Sequence, residues 1–437
     1  MRKFGVYKDI LGDLFQGAVK KGFFHLFSAN VFIYLFSFAS QFFVAGFLTV
    51  EQLGQIRILQ TYLSFAVLFS VFGFNTSVVK LCSENRGVGE VRYLFRKALG
   101  YVAITSIVAC VIVASLNCFN LISSDKEIKY YFYILIISVI PQAFDNLFTS
   151  YLQARRLIKE YSKINVVVKL ISVSGVILCT WQLGMPGYIA MYIGGFFISF
   201  IVLASYIKRH SQEEIVPVEK PFKLHFNLAY IALITNLLGQ IFSYFDIFLM
   251  NYLVSDREAI GYYSFAITLT LGMTIYRNTV SQIVVPYLSN VSGNSAVLLQ
   301  RTKNYGKLNI YASLFIAIAF ILSVPFLVKI VYAGKFDNSM VFFFILCISE
   351  MFYSINSFKG YSILAIGEIK YNLYESIIRG VISLLLAVIG LYLYGLIGLA
   401  LSRLITNALE IIIVNCFYKL ALVHYSKKDP TRINSAN

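Results

Sequence analysis

Residues 225–289 read HFNLAYIALITNLLGQIFSYFDIFLMNYL, then VSDREAI, then GYYSFAITLTLGMTIYRNTVSQIVVPYLS. These are two long apolar segments joined by a short acidic turn. The first carries Asp246, the turn holds Asp256 and Glu258, and the second opens on Gly261, Tyr262 and Tyr263 and carries Arg277. A helix needs about 20 apolar residues to cross ~30 Å of hydrocarbon, and both segments exceed that. An ionised side chain at the centre of such a helix costs about 2.5–3.5 kcal/mol on insertion scales. An acid and a deep arginine in consecutive spans therefore mark a polar site inside a membrane protein.

The rest of the chain agrees. Of 437 residues, 58% are hydrophobic and only 13% charged, with a mean hydropathy of +0.74. Soluble proteins carry about twice that charged fraction. Spanning segments are expected near 24–48, 55–80, 98–121, 130–152, 164–183, 187–207, 225–253, 261–289, 308–332, 339–366, 371–394 and 396–418. The expected fold is all-α and polytopic, with twelve transmembrane helices in two six-helix bundles. Residues 1–210 form the first bundle and 225–437 the second, with a short tail. The polar stretch 211–224 links them.

The net charge of +16 follows the topology. Loops on one side hold Arg86, Arg92, Arg96 and Lys97, then Arg155, Arg156, Lys159 and Lys163, then Lys208, Arg209, Lys220 and Lys223, then Arg301, Lys303 and Lys307. Loops on the other side hold only Lys126, Lys129, Arg257 and Lys335. The positive-inside rule then places both termini and the linker in the cytoplasm. The basic excess faces the cytoplasmic side of the bilayer, and nucleic acid is not an expected partner. The first apolar run is too long for a cleaved signal peptide.

The six cysteines form no CxxC and read as small packing residues. His25 and His225 open apolar runs and read as interfacial residues, so no metal site is expected. GxxxxGK[ST] is absent, and with it ATP hydrolysis by this chain.

An internal repeat is visible: Leu48–Gly54 (LTVEQLG) and Leu253–Gly261 (LVSDREAIG) each end one helix, turn on acids and open the next. The stretch Phe47–Gly54 is similar to a turn of Wzx-type polysaccharide flippases. So are Phe72–Ser77 at the end of the second span, Tyr244–Asp246, Ile260–Tyr263, Val331–Phe336, Ala365–Lys370 and Tyr394–Ala400. In order, these resemble the multidrug/oligosaccharidyl-lipid/polysaccharide exporter superfamily over 24–418. The resemblance implies two six-helix bundles in a V around a central cavity. It also implies a flippase carrying undecaprenyl-pyrophosphate-linked oligosaccharide, such as an O-antigen unit, across a bacterial inner membrane. Polymerase and chain-length proteins are the partners implied, besides the bilayer. Where family members carry further cations in the first two helices, this chain offers only Arg57.

Candidate substrate-binding cations are Arg277, Arg403, Lys359 and Arg57. Candidate ion-coupling or counter-charge acids are Asp246, Glu350 and Asp145, with H+ or Na+ as the coupling ion and no other cofactor. Arg277 lies roughly 24 Å along its helix, too deep to snorkel, and reads either as an anion site or as half of a buried ion pair. Glu375 and Arg379 are spaced i,i+4 and read as an intrahelical pair. Pro141, Pro286 and Pro325 are expected to kink helices. Two rivals of the same superfamily stay open, a cation-coupled multidrug antiporter and a lipid II flippase. A membrane-embedded glycan polymerase would want a large outward loop, which the sequence lacks.

Overall fold

The computed structural model describes residues 36–84, 86–210, 214–289 and 295–428. The helices are α1 (Phe36–Phe47), α2 (Val50–Val71), α3 (Phe74–Ser83), α4 (Val88–Cys118), α5 (Lys126–Ile136), α6 (Val139–Ala154) and α7 (Ile158–Leu183). They continue with α8 (Met185–His210), α9 (Pro221–Leu253), α10 (Arg257–Ser289), α11 (Ser295–Tyr332), α12 (Ser339–Ala365) and α13 (Ile369–Lys428).

Among the described residues, eight helices are long and apolar enough to span as single elements, and two bent pairs, α2–α3 and α5–α6, each make one more if read as one span. Helix α13, at 60 residues, would be about 90 Å long if straight, three times the hydrocarbon thickness. It breaks at Gly395 (φ 60°, ψ −144°), which divides it into two spans. With α1, whose sequence segment begins outside the described residues, the twelve expected spans are accounted for.

Local chemistry fixes these breaks. Thr49 caps α2 in a reciprocal capping box: its hydroxyl accepts from Gln52 N at 3.1 Å, and Gln52 Oε1 accepts from Thr49 N at 3.0 Å. The matching turn in the second repeat has the forward half of such a cap, with Asp256 Oδ1 accepting from Ala259 N at 3.0 Å. Between α2 and α3, Phe72 and Gly73 both take positive φ, and the axis bends by 45°. Pro141 has no N–H and clashes with the carbonyl four residues back, so α5 stops at Ile136 and α6 leaves at 47°. Pro325 is accommodated inside α11.

The chain forms two compact units, Ala39–Gly261 and, of the described residues, 36–38 with those from Tyr262 onward. The sequence puts its boundary at 211–224. The first unit nevertheless runs on to include α9, which packs on α2 and α3. Its core gathers Phe74, Leu94, Phe95, Leu147, Phe148 and Tyr151 among others. His225 is fully buried there, correcting its interfacial reading: Nδ1 bonds Ser77 Oγ at 2.8 Å and Nε2 bonds Leu94 O at 3.1 Å. The second unit centres on Leu288, Leu298, Phe358, Ile363 and Ala421. Outward stripes such as Ile104, Ile107, Val108 and Val111 on α4, and Phe315, Ile318, Leu322 and Phe326 on α11, are exposed at helical spacing. Lipid is the solvent that makes such faces stable.

Candidate functional site

Two polar regions stand out, one in each unit. The first is a cavity of about 530 Å³ among α2, α3, α6 and α9. Its polar lining includes Ser64, Asn75, Asn146, Asn236, Gln240 and Tyr244, and no acidic or basic side chain among the described residues contributes. The α2–α3 bend shapes it, and the bend needs glycine: a Cβ on Gly73 would meet Ala229 O at 2.2 Å, and φ there is 78°. Gln240 is oriented by donating from Nε2 to Ser64 O at 3.3 Å. That leaves Gln240 Oε1 buried with no donor, and Asn75 Oδ1 is in the same position. A buried amide oxygen without a partner costs about 1–3 kcal/mol, and two of the residues that line the cavity carry one.

The second region is a charged cluster joining α10, α12 and both limbs of α13. Arg277 Nη1 donates to Glu350 Oε2 at 2.6 Å, with side chains 15% and 18% exposed. The Arg277 guanidinium also lies 4.2 Å from the Tyr353 ring centroid, and the Arg379 guanidinium lies 5.0 Å from the same ring. Glu350 and Tyr353 are i,i+3 and share a helix face, so one stripe of α12 presents an acid and an aromatic to two arginines. Arg379 Nε reaches Glu375 Oε1 at 3.5 Å and Glu410 Oε1 at 3.7 Å. The Glu375–Arg379 pair is therefore present as expected, and Glu410 joins it from the second limb.

The seven predicted residues divide between the units: Arg57, Asp145 and Asp246 lie in the first, and Arg277, Glu350, Lys359 and Arg403 in the second. Arg277 and Glu350, expected separately as cation and acid, bond each other. Of the two readings of Arg277, the buried ion pair is thus the described state. Lys359 donates to Asn415 Oδ1. Arg403, on the second limb of α13, is half-buried and also engaged. In the first unit, the Arg57 guanidinium sits 6.0 Å from the Tyr244 ring. Asp246 is buried, and its Oδ1 accepts from Ile247 N at 2.9 Å. Asp145 accepts from Ser199 Oγ and faces Lys169.

The sequence reading missed Lys169 and Tyr353. Lys169 lies only six residues inside an apolar run, where a cation looks like a boundary residue. Tyr353 is one of 31 tyrosines, and nothing local in the sequence singles it out. It also missed a second internal repeat. Gly184 and Gly395 share one rare conformation (φ 62°, ψ −137° and φ 60°, ψ −144°). Three residues later, a Cβ on Gly187 would meet Cys179 O at 2.0 Å, and one on Gly398 would meet Gly390 O at 1.9 Å. Each half thus closes its last two spans with the same glycine hairpin. The G-x-x-G spacing, 184/187 and 395/398, was there to be read.

The chain is similar to several solved structures. A lipid II flippase MurJ in an inward closed conformation matches with a TM-score of 0.74 at 18% identity, covering 91% of this chain and 90% of that one. A mutant of the Vibrio cholerae MATE transporter VcmN matches at 0.65 and 13% identity, covering 93% and 98%. A multidrug resistance MATE family transporter of the MOP superfamily, in an inward-facing conformation, matches at 0.66 and 12% identity, covering 91% and 96%. These likenesses establish the fold as the one shared by these membrane proteins. No curated protein matches the chain. The family model described as polysaccharide biosynthesis protein matches residues 19–292, more than half of the chain, so this multi-pass membrane protein belongs to the polysaccharide biosynthesis protein family.

Proposed function

We propose that the chain is a flippase carrying undecaprenyl-pyrophosphate-linked oligosaccharide from the cytoplasmic to the periplasmic leaflet of a bacterial inner membrane by alternating access. The observation that carries this reading is the uncharged cavity with two buried, unfilled acceptors, Asn75 Oδ1 and Gln240 Oε1. Sugar hydroxyls are donors as well as acceptors and cannot enter hydrocarbon without replacements for their water. Amide and hydroxyl side chains supply those replacements without selecting for charge. The volume falls in the range of small-ligand pockets, enough for part of a glycan.

The pyrophosphate is assigned to Arg277, in exchange for Glu350. A charge-assisted Arg–phosphate contact is as strong as the Arg–carboxylate contact it replaces, so the swap is nearly balanced. Arg403, Lys359 and Arg57 are assigned as secondary cations along the route, and Asp246, Glu350 and Asp145 as acids that couple H+ or Na+ or offset charge. A membrane potential negative inside favours outward movement of an anion by ~2.3 kcal/mol per charge per 100 mV. Polymerase and chain-length proteins would take the product.

The test uses purified protein in liposomes with a labelled undecaprenyl-pyrophosphate oligosaccharide, scored by protection of the label from an external glycosidase. Protein-dependent exposure of internal label is expected, weakened by Gln240→Leu. A multidrug antiporter would instead want acids in its cavity to hold organic cations. Efflux of a cationic dye without movement of the lipid-linked glycan would replace the present reading with that one.

A further inference from the structure

We propose that Glu375 and Glu410 form a proton-binding site in which one proton is shared between the two carboxyl groups. Both side chains are nearly out of solvent, Glu375 at 8% and Glu410 at 3% exposure. They come from the two limbs of α13 onto one guanidinium nitrogen, Arg379 Nε, which lies 3.5 Å from Glu375 Oε1 and 3.7 Å from Glu410 Oε1. Yet Glu375 Oε1 and Glu410 Oε2 are both buried and neither accepts a hydrogen bond. Two ionised carboxylates are acceptors only, so facing each other they leave both oxygens unfilled. A single proton between them supplies the missing donor and removes one charge.

The surrounding charges point the same way. Five ionisable groups act on one another here: Arg277 and Arg379 on one side, Glu350, Glu375 and Glu410 on the other. Arg277 is spent on Glu350 at 2.6 Å. Arg379 is the one cation in contact with both remaining acids among the described residues, at 3.5 and 3.7 Å and through an Nε that lacks a hydrogen bond, while the Ser376 hydroxyl donates to Glu375 Oε2 at 3.3 Å. Nearby Tyr353 offers a ring face already occupied by both guanidinium groups, and the Asn356 amide, which lies beside Glu410, also donates to Asn407 O at 2.8 Å. With every carboxyl ionised the cluster carries one uncompensated negative charge inside a membrane span. Uptake of one proton from water brings it to neutrality, and release returns it to minus one. Two carboxyls that share a site cannot both ionise cheaply, and their titration belongs to the pair. In a transporter this is a one-proton coupling element, and that use rests on the function proposed above; the site itself does not.

The experiment is infrared difference spectroscopy of the purified full chain in lipid, titrated from mildly acidic to alkaline pH without substrate. A protonated-carboxyl C=O band is expected near neutrality, separated from lipid ester by its shift in D2O, and lost on alkalinisation with a stoichiometry of one per chain. Glu375→Gln and Glu410→Gln should each abolish it, because the surviving acid then pairs with Arg379 and ionises. Absence of the band in the unmodified chain would overturn the proposal without any variant needing to fold. So would persistence of the band in Glu375→Gln, which would make the proton private to Glu410. Its loss on adding sodium but not choline at fixed pH would also overturn it, in favour of a metal-cation site. None of these readings depends on whether lipid-linked glycan is the cargo.

Discussion

The two repeats close with the same glycine hairpin and each opens with a capped turn, yet their interiors are unlike. The first bends two of its spans, at Phe72–Gly73 and before Pro141, and surrounds a cavity of amides and hydroxyls without a charge. The second leaves α10 and α12 unbroken and fills its interior with two arginines and three glutamates around Tyr353. Backbone bends open space, whereas ion pairs and a cation–π stack draw helices together and use it up. The frame is thus duplicated while the contents have diverged: hydrogen-bonding capacity in one unit, titratable charge in the other.

The largest expected effect tests the shared frame. Gly187→Val and Gly398→Val should both prevent assembly, because each Cβ would sit about 2 Å from a carbonyl oxygen of the facing limb and neither backbone can yield. Gly184→Ala and Gly395→Ala should be milder and equal to one another, costing on the order of 1–3 kcal/mol for a backbone region that favours glycine. Fluorescence-detected size exclusion of detergent extracts, read against temperature, measures both pairs. Unequal losses at 184 and 395 would break the claim that one device serves both halves.

The next effect tests the difference in contents. Glu350→Ala leaves Arg277 buried without its carboxylate, and breaking a buried pair by removing one partner costs on the order of 3–5 kcal/mol. The double change Arg277→Met with Glu350→Leu should recover most of that stability, since an apolar pair of similar volume is often neutral. Asp145→Asn, in the first unit, should cost less, because Ser199 Oγ can still donate to the amide oxygen. Thermal unfolding of the three variants orders them. A larger loss for Asp145→Asn than for Glu350→Ala would reverse the contrast drawn between the units.

The frame was largely legible in the sequence because it depends on period, length and punctuation. Apolar runs of about 20 residues, acidic turns and cationic loops report local rules that any segment must obey. The charged cluster was legible only as a set of residues. Glu375 and Arg379 share a helix, so their pairing follows from spacing; Arg277 and Glu350 are 73 positions apart, and only packing brings them together. Tyr353 was invisible because cation–π partners need no sequence signature, and the cavity because its residues are ordinary polar positions on four helices. His225 was misread for a related reason: a histidine at a helix start looks interfacial until Ser77 and Leu94 are seen to close around it.

The smallest effect on stability should come from the cavity itself, and there the sign is informative. Asn75 Oδ1 and Gln240 Oε1 lack donors, so the folded protein gains little from holding them. Asn75→Leu removes an unsatisfied group and adds apolar contact, so it should leave thermal stability unchanged or raise it by about 1 kcal/mol. Gln240→Leu also loses the 3.3 Å bond to Ser64 O, and because that carbonyl lies within a helix the loss should stay near 0.5–1.5 kcal/mol. Both should nevertheless slow glycan translocation, since each removes an acceptor that a sugar hydroxyl would fill. Residues kept at no benefit to folding are residues kept for a ligand. If Asn75→Leu destabilises the protein as much as Glu350→Ala does, the amide is structural and the cavity loses its claim to the glycan.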